Sequence, residues 1–207
     1  MQGSGVGQMR GIIPRAIEQV GERKKLLEKD GWKYDMKVSF VEIYNESIRD
    51  LLREEKSDEK KHEIKMDSNG RRFITDINTV CLEPSDRNAV DNVMRQAAKH
   101  RSVGCTSMNS TSSRSHSIFT LYLKAIHLGN RQELCGQLNL VDLAGSERLD
   151  RSNATGGTAK ETVSINKSLS SLADVFVSIG KKASHIPFRN SKLVSKNAFI
   201  LKRDLHV

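Results

Sequence analysis

The 207-residue sequence has no run approaching the ~20 apolar residues that a bilayer-spanning helix needs, and its opening MQGSGVGQMR lacks the apolar core of a secretory signal. A soluble, intracellular protein without a membrane partner is expected. Cysteine is scarce: Cys81, Cys105 and Cys135 are widely spaced, odd in number and without a C-x-x-C pair, so no disulfide framework or zinc site is indicated. Aromatic residues make up only 5% of the chain, and no RNP, zinc-finger or basic-zipper pattern occurs, which argues against nucleic acid as a partner. No internal repeat or low-complexity tract is present. What is there suffices for a packed core, since 37% of residues are hydrophobic, and disorder throughout is excluded. Lys and Arg number 34 against 25 Asp and Glu, a net charge of +9 that leaves an anionic partner open, whether nucleic acid, an anionic membrane or an acidic protein surface. Residues 181 to 207 hold +6 of that excess, from seven basic side chains and Asp204 alone as the acid.

Apolar spacing divides the chain into strands and helices. Ile13, Ile17 and Val20, with Pro14 in the first turn, predict an amphipathic helix that stops at Gly31. Met36 to Tyr44 reads as a strand, Glu46 to Leu52 as a short helix, and Arg53 to Arg72 as a solvated connection with a turn at Asn69-Gly70. Phe73 to Leu82 reads as a strand, and Pro84-Ser85-Asp86 then caps a helix whose apolar face carries Val90, Val93, Met94, Ala97 and Ala98. Ile118 to Ile126 and Cys135 to Leu143 are β-rich runs. Thr158 and Glu161 suggest a capping box at the start of the longest helix, with Ile165, Leu169, Leu172, Phe176 and Ile179 as its apolar stripe up to Gly180. The mixture predicts an α/β or α+β sheet domain.

Two segments carry chemistry. In LNLVDLAGSE, Leu138 to Glu147, an apolar strand ends in Asp142, and Gly145 follows three residues later. A strand-end Asp can hold Mg²⁺ or its water, and a bare glycine amide can approach a terminal phosphate. The same pattern also suits an ordinary strand end followed by a turn. In NSTSSRSHS, Asn109 to Ser117, hydroxyls cluster with one Asn, one Arg and one His, a set able to serve a metal ion and an attacking water. A plain Ser-rich loop has that composition too.

Taken together the segments resemble the motor domain of kinesins. Five stretches match that family in order and spacing: VEIYNESIRDLL from Val41, SSRSHS from Ser112, DLAGSE from Asp142, NKSL from Asn166 and HIPFRNSKL from His185. GIIPRA and GWKYDMKVSFVEIYNE look most like the C-terminal-motor, minus-end-directed subgroup. The resemblance implies an α/β fold, a P-loop NTPase-like sheet flanked by helices and incomplete at both ends. It places a partial motor domain over residues 1–193 and a divergent basic tail over 194–207. ATP and Mg²⁺ are the implied cofactors, and microtubules (tubulin) the implied partner. The implied location is the cytoplasm and the microtubule cytoskeleton, including the spindle, with dimerisation through a coiled coil outside this chain.

The resemblance also assigns residues. Asn109 stands where the family's first switch loop begins and belongs to the nucleotide site. Ser113 would be the Mg²⁺-side hydroxyl, Ser112 would position the hydrolytic water, and Arg114 would pair with Glu147 to close the site. Asp142 would hold a Mg²⁺-bound water, and the Gly145 amide would sense the γ-phosphate. Lys160, Lys167, Arg189 and Lys192 would face the acidic microtubule. No G-x-x-x-x-G-K-[ST] occurs in these 207 residues, and a segment like Met1-Gln2-Gly3 lies just downstream of that loop in the family. The expectation is therefore a fragment of an ATP-driven microtubule motor. The alternative is a non-catalytic microtubule-binding module.

Overall fold

The computed structural model describes residues 1, 3, 9–54, 61–68, 70, 72–103, 114–146 and 157–196. Helix α1 (Ile12–Lys29) keeps Pro14 in its first turn, where a missing N–H costs no helical bond, and the chain leaves it through Gly31 at φ +87°. Strand β1 (Trp32–Tyr44) follows and is longer than its apolar run. The short helix expected over Glu46–Leu52 is instead a hairpin arm. Asn45 and Glu46 both take positive φ, 48° and 55°, which gives the tight reversal whose twist suits two antiparallel strands. The chain returns as β2 (Ser47–Asp50), in register Tyr44↔Ser47. Buried Asp50 fixes the exit by accepting hydrogen bonds from the backbone N–H groups of Leu52 and Asn78, at 2.8 and 2.6 Å.

The solvated connection carries a small hairpin of its own, β3 (Ile64–Met66) with β4 (Arg72–Ile74), turning near Gly70 at φ +75°. The single strand expected over Phe73–Leu82 is broken by Asp76, at φ 54°. Its first part is β4, paired with β3, and its second is β5 (Val80–Cys81), paired with β1. Asp86 caps α2 (Arg87–Val103), accepting from the Ala89 N–H at 3.1 Å. Strands β6 (His116–His127) and β7 (Glu133–Asp142) and helix α3 (Gly157–Gly180) complete the described elements.

The main sheet runs β2-β1-β6-β7, with β5 also on β1, and every described pairing is antiparallel. Strand alternation sorts its core onto two faces. Met36, Val38 and Phe40 of β1 and Phe119 and Leu121 of β6 pack with Ile13 and Ile17 of α1 and Val90, Val93 and Ala97 of α2. The Phe40 and Phe119 rings meet edge to face at 5.6 Å. On the other face Val41, Ile43 and Ile118 pack with Ile48, Ile74 and Leu193, and Leu172 of α3 reaches that cluster. Among the described strands β7 pairs only with β6, and its Leu134 and Leu138 are exposed. No helix among the described residues is long and apolar enough to cross a membrane.

Helix α3 buries Ile165 of the expected stripe and half-buries Leu169, Leu172 and Ile179, but its fully buried line is shifted from the expected one. Thr162, Ile165, Ser168, Ser171 and Val175 are buried, whereas Phe176 is 54% exposed. Small hydroxyl side chains alternate with Ile165 and Val175 on the inner face. Of these, Ser168 meets a polar partner from the sheet, whereas Ser171 bonds the Lys167 carbonyl of its own helix.

Candidate functional site

The two chemistry-bearing segments meet at one end of the β6–β7 ladder, where Ser117 pairs with Asp142. β6 starts at the close of the Ser-rich loop and β7 ends at the Asp, so antiparallel pairing brings residues 25 apart in sequence side by side. The pleat then sends successive side chains of the SSRSHS segment to different partners. Arg114, 15% exposed, reaches α3 and places Nη1 3.2 Å from Glu161 Oε2. Ser115 is buried on the α2 face, where its Oγ donates to Glu42 Oε1 at 2.7 Å. His116 points to the α3 face. Its Nδ1 lies 3.0 Å from the Ala144 backbone nitrogen, and its Nε2 lies 2.7 Å from Ser168 Oγ.

Glu42 is a carboxylate held inside the sheet at 1% exposure. Arg101 of α2 approaches it at 3.5 Å and Arg49 of β2 at 3.9 Å, so its charge is paired rather than stranded. Glu161 also accepts from the Tyr44 hydroxyl, so each of its carboxylate oxygens is engaged by a sheet-side residue. The capping box is not how Glu161 is used: α3 begins at Gly157, already before Thr158, and the Glu161 carboxylate is turned to Tyr44 and Arg114. Burial, the Glu161 hydrogen bond and the Glu161 charge push the Tyr44 phenol up to about 12, so it stays a donor. Burial pushes His116 below the ordinary imidazole range and favours its neutral form.

The other expected site residues fall as follows. Asp142 ends β7 with its carboxylate 42% exposed, 3.7 Å from the Met1 amino group. Gly145 lies in the stretch that follows. Asn109, Ser112, Ser113 and Glu147 lie outside the described residues, and so does the Glu147 end of the expected pair with Arg114. Lys167 is exposed on α3, and Arg189 is exposed after it. Lys192 is half-buried, and its backbone N–H donates to Glu46 Oε2 at 2.9 Å. Lys160 is in the first turn of α3 with its side chain outside the described set. No group of three or more His, Cys, Asp or Glu among the described residues could hold a metal. Sequence reasoning missed Tyr44, Glu42, Arg101 and Ser168 as site residues and gave Glu161 a helix-capping role alone. His116 was visible only as a letter in SSRSHS.

The profile of the kinesin motor domain family matches residues 1–205. The chain belongs to the kinesin motor family. Its relatives include kinesin-like protein KIN-14N of Oryza sativa, 49% identical over 189 residues, which are 89% of this chain and 24% of that protein. Kinesin-like protein klpA of Emericella nidulans is 50% identical over 194 residues, 91% of this chain and 25% of that protein. Among solved structures, the C-terminal motor domain of Kar3 from Candida glabrata is similar at a TM-score of 0.74 and 43% identity, over 95% of this chain and 56% of that one. These relatives support the C-terminal-motor subgroup. This kinesin chain spans about a quarter of the length of the curated relatives it matches.

Proposed function

We propose that this chain supplies the switch and microtubule-facing part of an ATP-driven, microtubule-based motor of the C-terminal-motor group. The supporting observation is the convergence of the SSRSHS end, the β7 exit and α3 on His116, within hydrogen-bonding distance. A carboxylate that is 42% exposed at a strand end is an oxygen donor open to a hydrated cation, so Asp142, through a metal-bound water, and Ser113, through its hydroxyl, would hold the Mg²⁺ of a bound Mg·ATP. When bound, Mg²⁺ neutralises phosphate charge in phosphoryl transfer. Ser112 orients the attacking water, Asn109 contributes to the nucleotide site, and the Gly145 amide donates toward the γ-phosphate. Arg114 and Glu147 close over it and exclude bulk water.

Lys160, Lys167, Arg189 and Lys192 are proposed to face the acidic microtubule surface, next to the basic stretch that begins at Lys181. The partial motor domain is assigned to residues 1–193, with 194–207 as a basic tail. The proposed setting is the microtubule cytoskeleton of the cytoplasm, including the spindle, with a coiled coil beyond this chain for dimerisation. Steady-state ATPase with and without microtubules tests the reading. Microtubule-stimulated turnover is expected from a protein carrying these residues together with the phosphate-binding loop. Binding without turnover in that protein would favour the non-catalytic microtubule-binding module instead. Substituting Arg189→Ala with Lys192→Ala is expected to weaken microtubule co-sedimentation several-fold at low salt, with the difference shrinking as salt screens it. An unaltered binding curve would remove both from the interface.

A further inference from the structure

We propose that His116 is a positioning residue that joins the backbone just before Gly145 to Ser168 of α3 through one neutral imidazole, so that a shift of the β7 exit is passed to the long helix. Its functional meaning rests on the phosphate-facing assignment of Gly145. The bridge itself stands on geometry.

The direction of every hydrogen bond in it is fixed by elimination. The Ala144 N–H can only donate, so His116 Nδ1, at 3.0 Å, must accept and carries no proton. The single ring proton is therefore on Nε2, which donates to Ser168 Oγ at 2.7 Å. With that lone pair used, the Ser168 hydroxyl donates onward to the Ile165 carbonyl at 2.7 Å. All three residues are buried: Ala144 at 4%, His116 at 3% and Ser168 at 2% exposure. Either a doubly protonated ring or the other tautomer would set an N–H against the Ala144 N–H inside the protein, which would leave a buried donor unpaired.

The ring is mounted on the rigid part of the fold. His116 is the first residue of β6 and pairs with Ile43 in the central ladder. The neighbouring Ser115 is pinned to Glu42 on the opposite face. The sheet thus fixes the imidazole, and its two nitrogens each hold one element: the β7 exit and the helix. Ser168 belongs to the buried stripe of α3, where it lies among Thr162, Ile165, Ser171 and Val175.

Hydrogen exchange of the Ala144 amide, followed by NMR on the full chain, tests the coupling. Ser168→Ala leaves the Ala144–His116 bond in place and removes only the helix arm. It is expected to speed Ala144 exchange about fivefold, the factor carried by a hydrogen bond of ordinary net strength, while the Phe40 amide in the middle of β1 keeps its rate. Equal acceleration at both amides, or none at Ala144, overturns the coupling. Long-range ¹H–¹⁵N spectra of the unsubstituted chain are expected to show the Nε2–H tautomer. An Nδ1–H or doubly protonated ring at neutral pH overturns the bridge. A protein that carries this bridge but fails the ATPase and co-sedimentation tests would refute the motor function and leave these results standing.

Discussion

Arg114 is held by Glu161 in this structure, and a double-mutant cycle measures how firmly. The perturbations are Arg114→Ala, Glu161→Ala and both together. The pair is 3.2 Å apart with side chains 15% and 26% exposed, so it lies between a fully wet ion pair and a buried one. Exposed pairs contribute about 0.2–1 kcal/mol, and hydrogen bonds to charged groups about 1.5–3 kcal/mol. A coupling energy of about 1–1.5 kcal/mol follows for the intermediate case. Glu161→Ala alone is expected to cost more, about 2 kcal/mol, because the half-buried Tyr44 hydroxyl loses its acceptor as well. Urea unfolding at neutral pH reads these values. With a slope of about 2–3 kcal/mol per molar, the coupling corresponds to a midpoint difference of roughly 0.5 M. Tyr44→Phe serves as the control that removes the second donor and spares the ion pair. A coupling energy below about 0.3 kcal/mol, the usual scatter of additive sites, would show that Arg114 is not held by Glu161 and would refute the reasoning.

Phe119 is fully buried and meets Phe40 edge to face in the cluster shared by α1, α2 and the sheet, so Phe119→Ala is expected to destabilise by about 3–5 kcal/mol in the same urea assay. A loss under about 1 kcal/mol would mean that this cluster is not the structural centre. Acid should also weaken the fold through His116. Its folded-state pKa is depressed by burial, so the unfolded chain binds the proton more readily. Stability is full above the ordinary imidazole value of 6.5 and falls as the pH drops below it towards the folded value. Glu46 and Arg114 are the charged residues that line the same crevice as the ring. His116→Asn is expected to flatten the urea midpoint between about pH 6.5 and 5. An unchanged slope in that variant would assign the acid sensitivity to other groups.

The elements that could be read from the sequence were those whose apolar period is set by a single packing face. α1 and α2 carry their buried residues at helical spacing, and β1 and β6 are apolar on both sides because helices cover both faces of the sheet. The misread elements depended on backbone geometry that their residue types do not announce. The reversal at Asn45-Glu46 lacks the glycine that usually marks two consecutive left-handed residues, and Asp76 breaks a run that is β-like in composition. The stripe of α3 was read only in part for a different reason: beside Ile165 its buried face carries Ser168 and Ser171, satisfied by hydrogen bonds that no hydropathy pattern records.

The candidate site divides along the same line. The residue types and order in SSRSHS and DLAGSE pointed to the kinesin family and to Arg114, Asp142 and Gly145 before any fold was known, because those segments are contiguous in the chain. Which side chain answers which was beyond their reach. Glu161 lies 47 residues from Arg114 and 117 from Tyr44, and Ser168 lies 52 from His116. Those partnerships follow from the β1–β6 pairing, which sets Ile43 opposite His116 and so brings Tyr44 and Arg114 to the same end of the sheet beside α3, and from the pleat, which turns His116 toward α3 and Ser115 toward α2. Local sequence supplied the functional groups and the period of most elements. Tertiary pairing decided their partners, since a hydrogen bond or an ion pair depends on distance in space and not on distance along the chain.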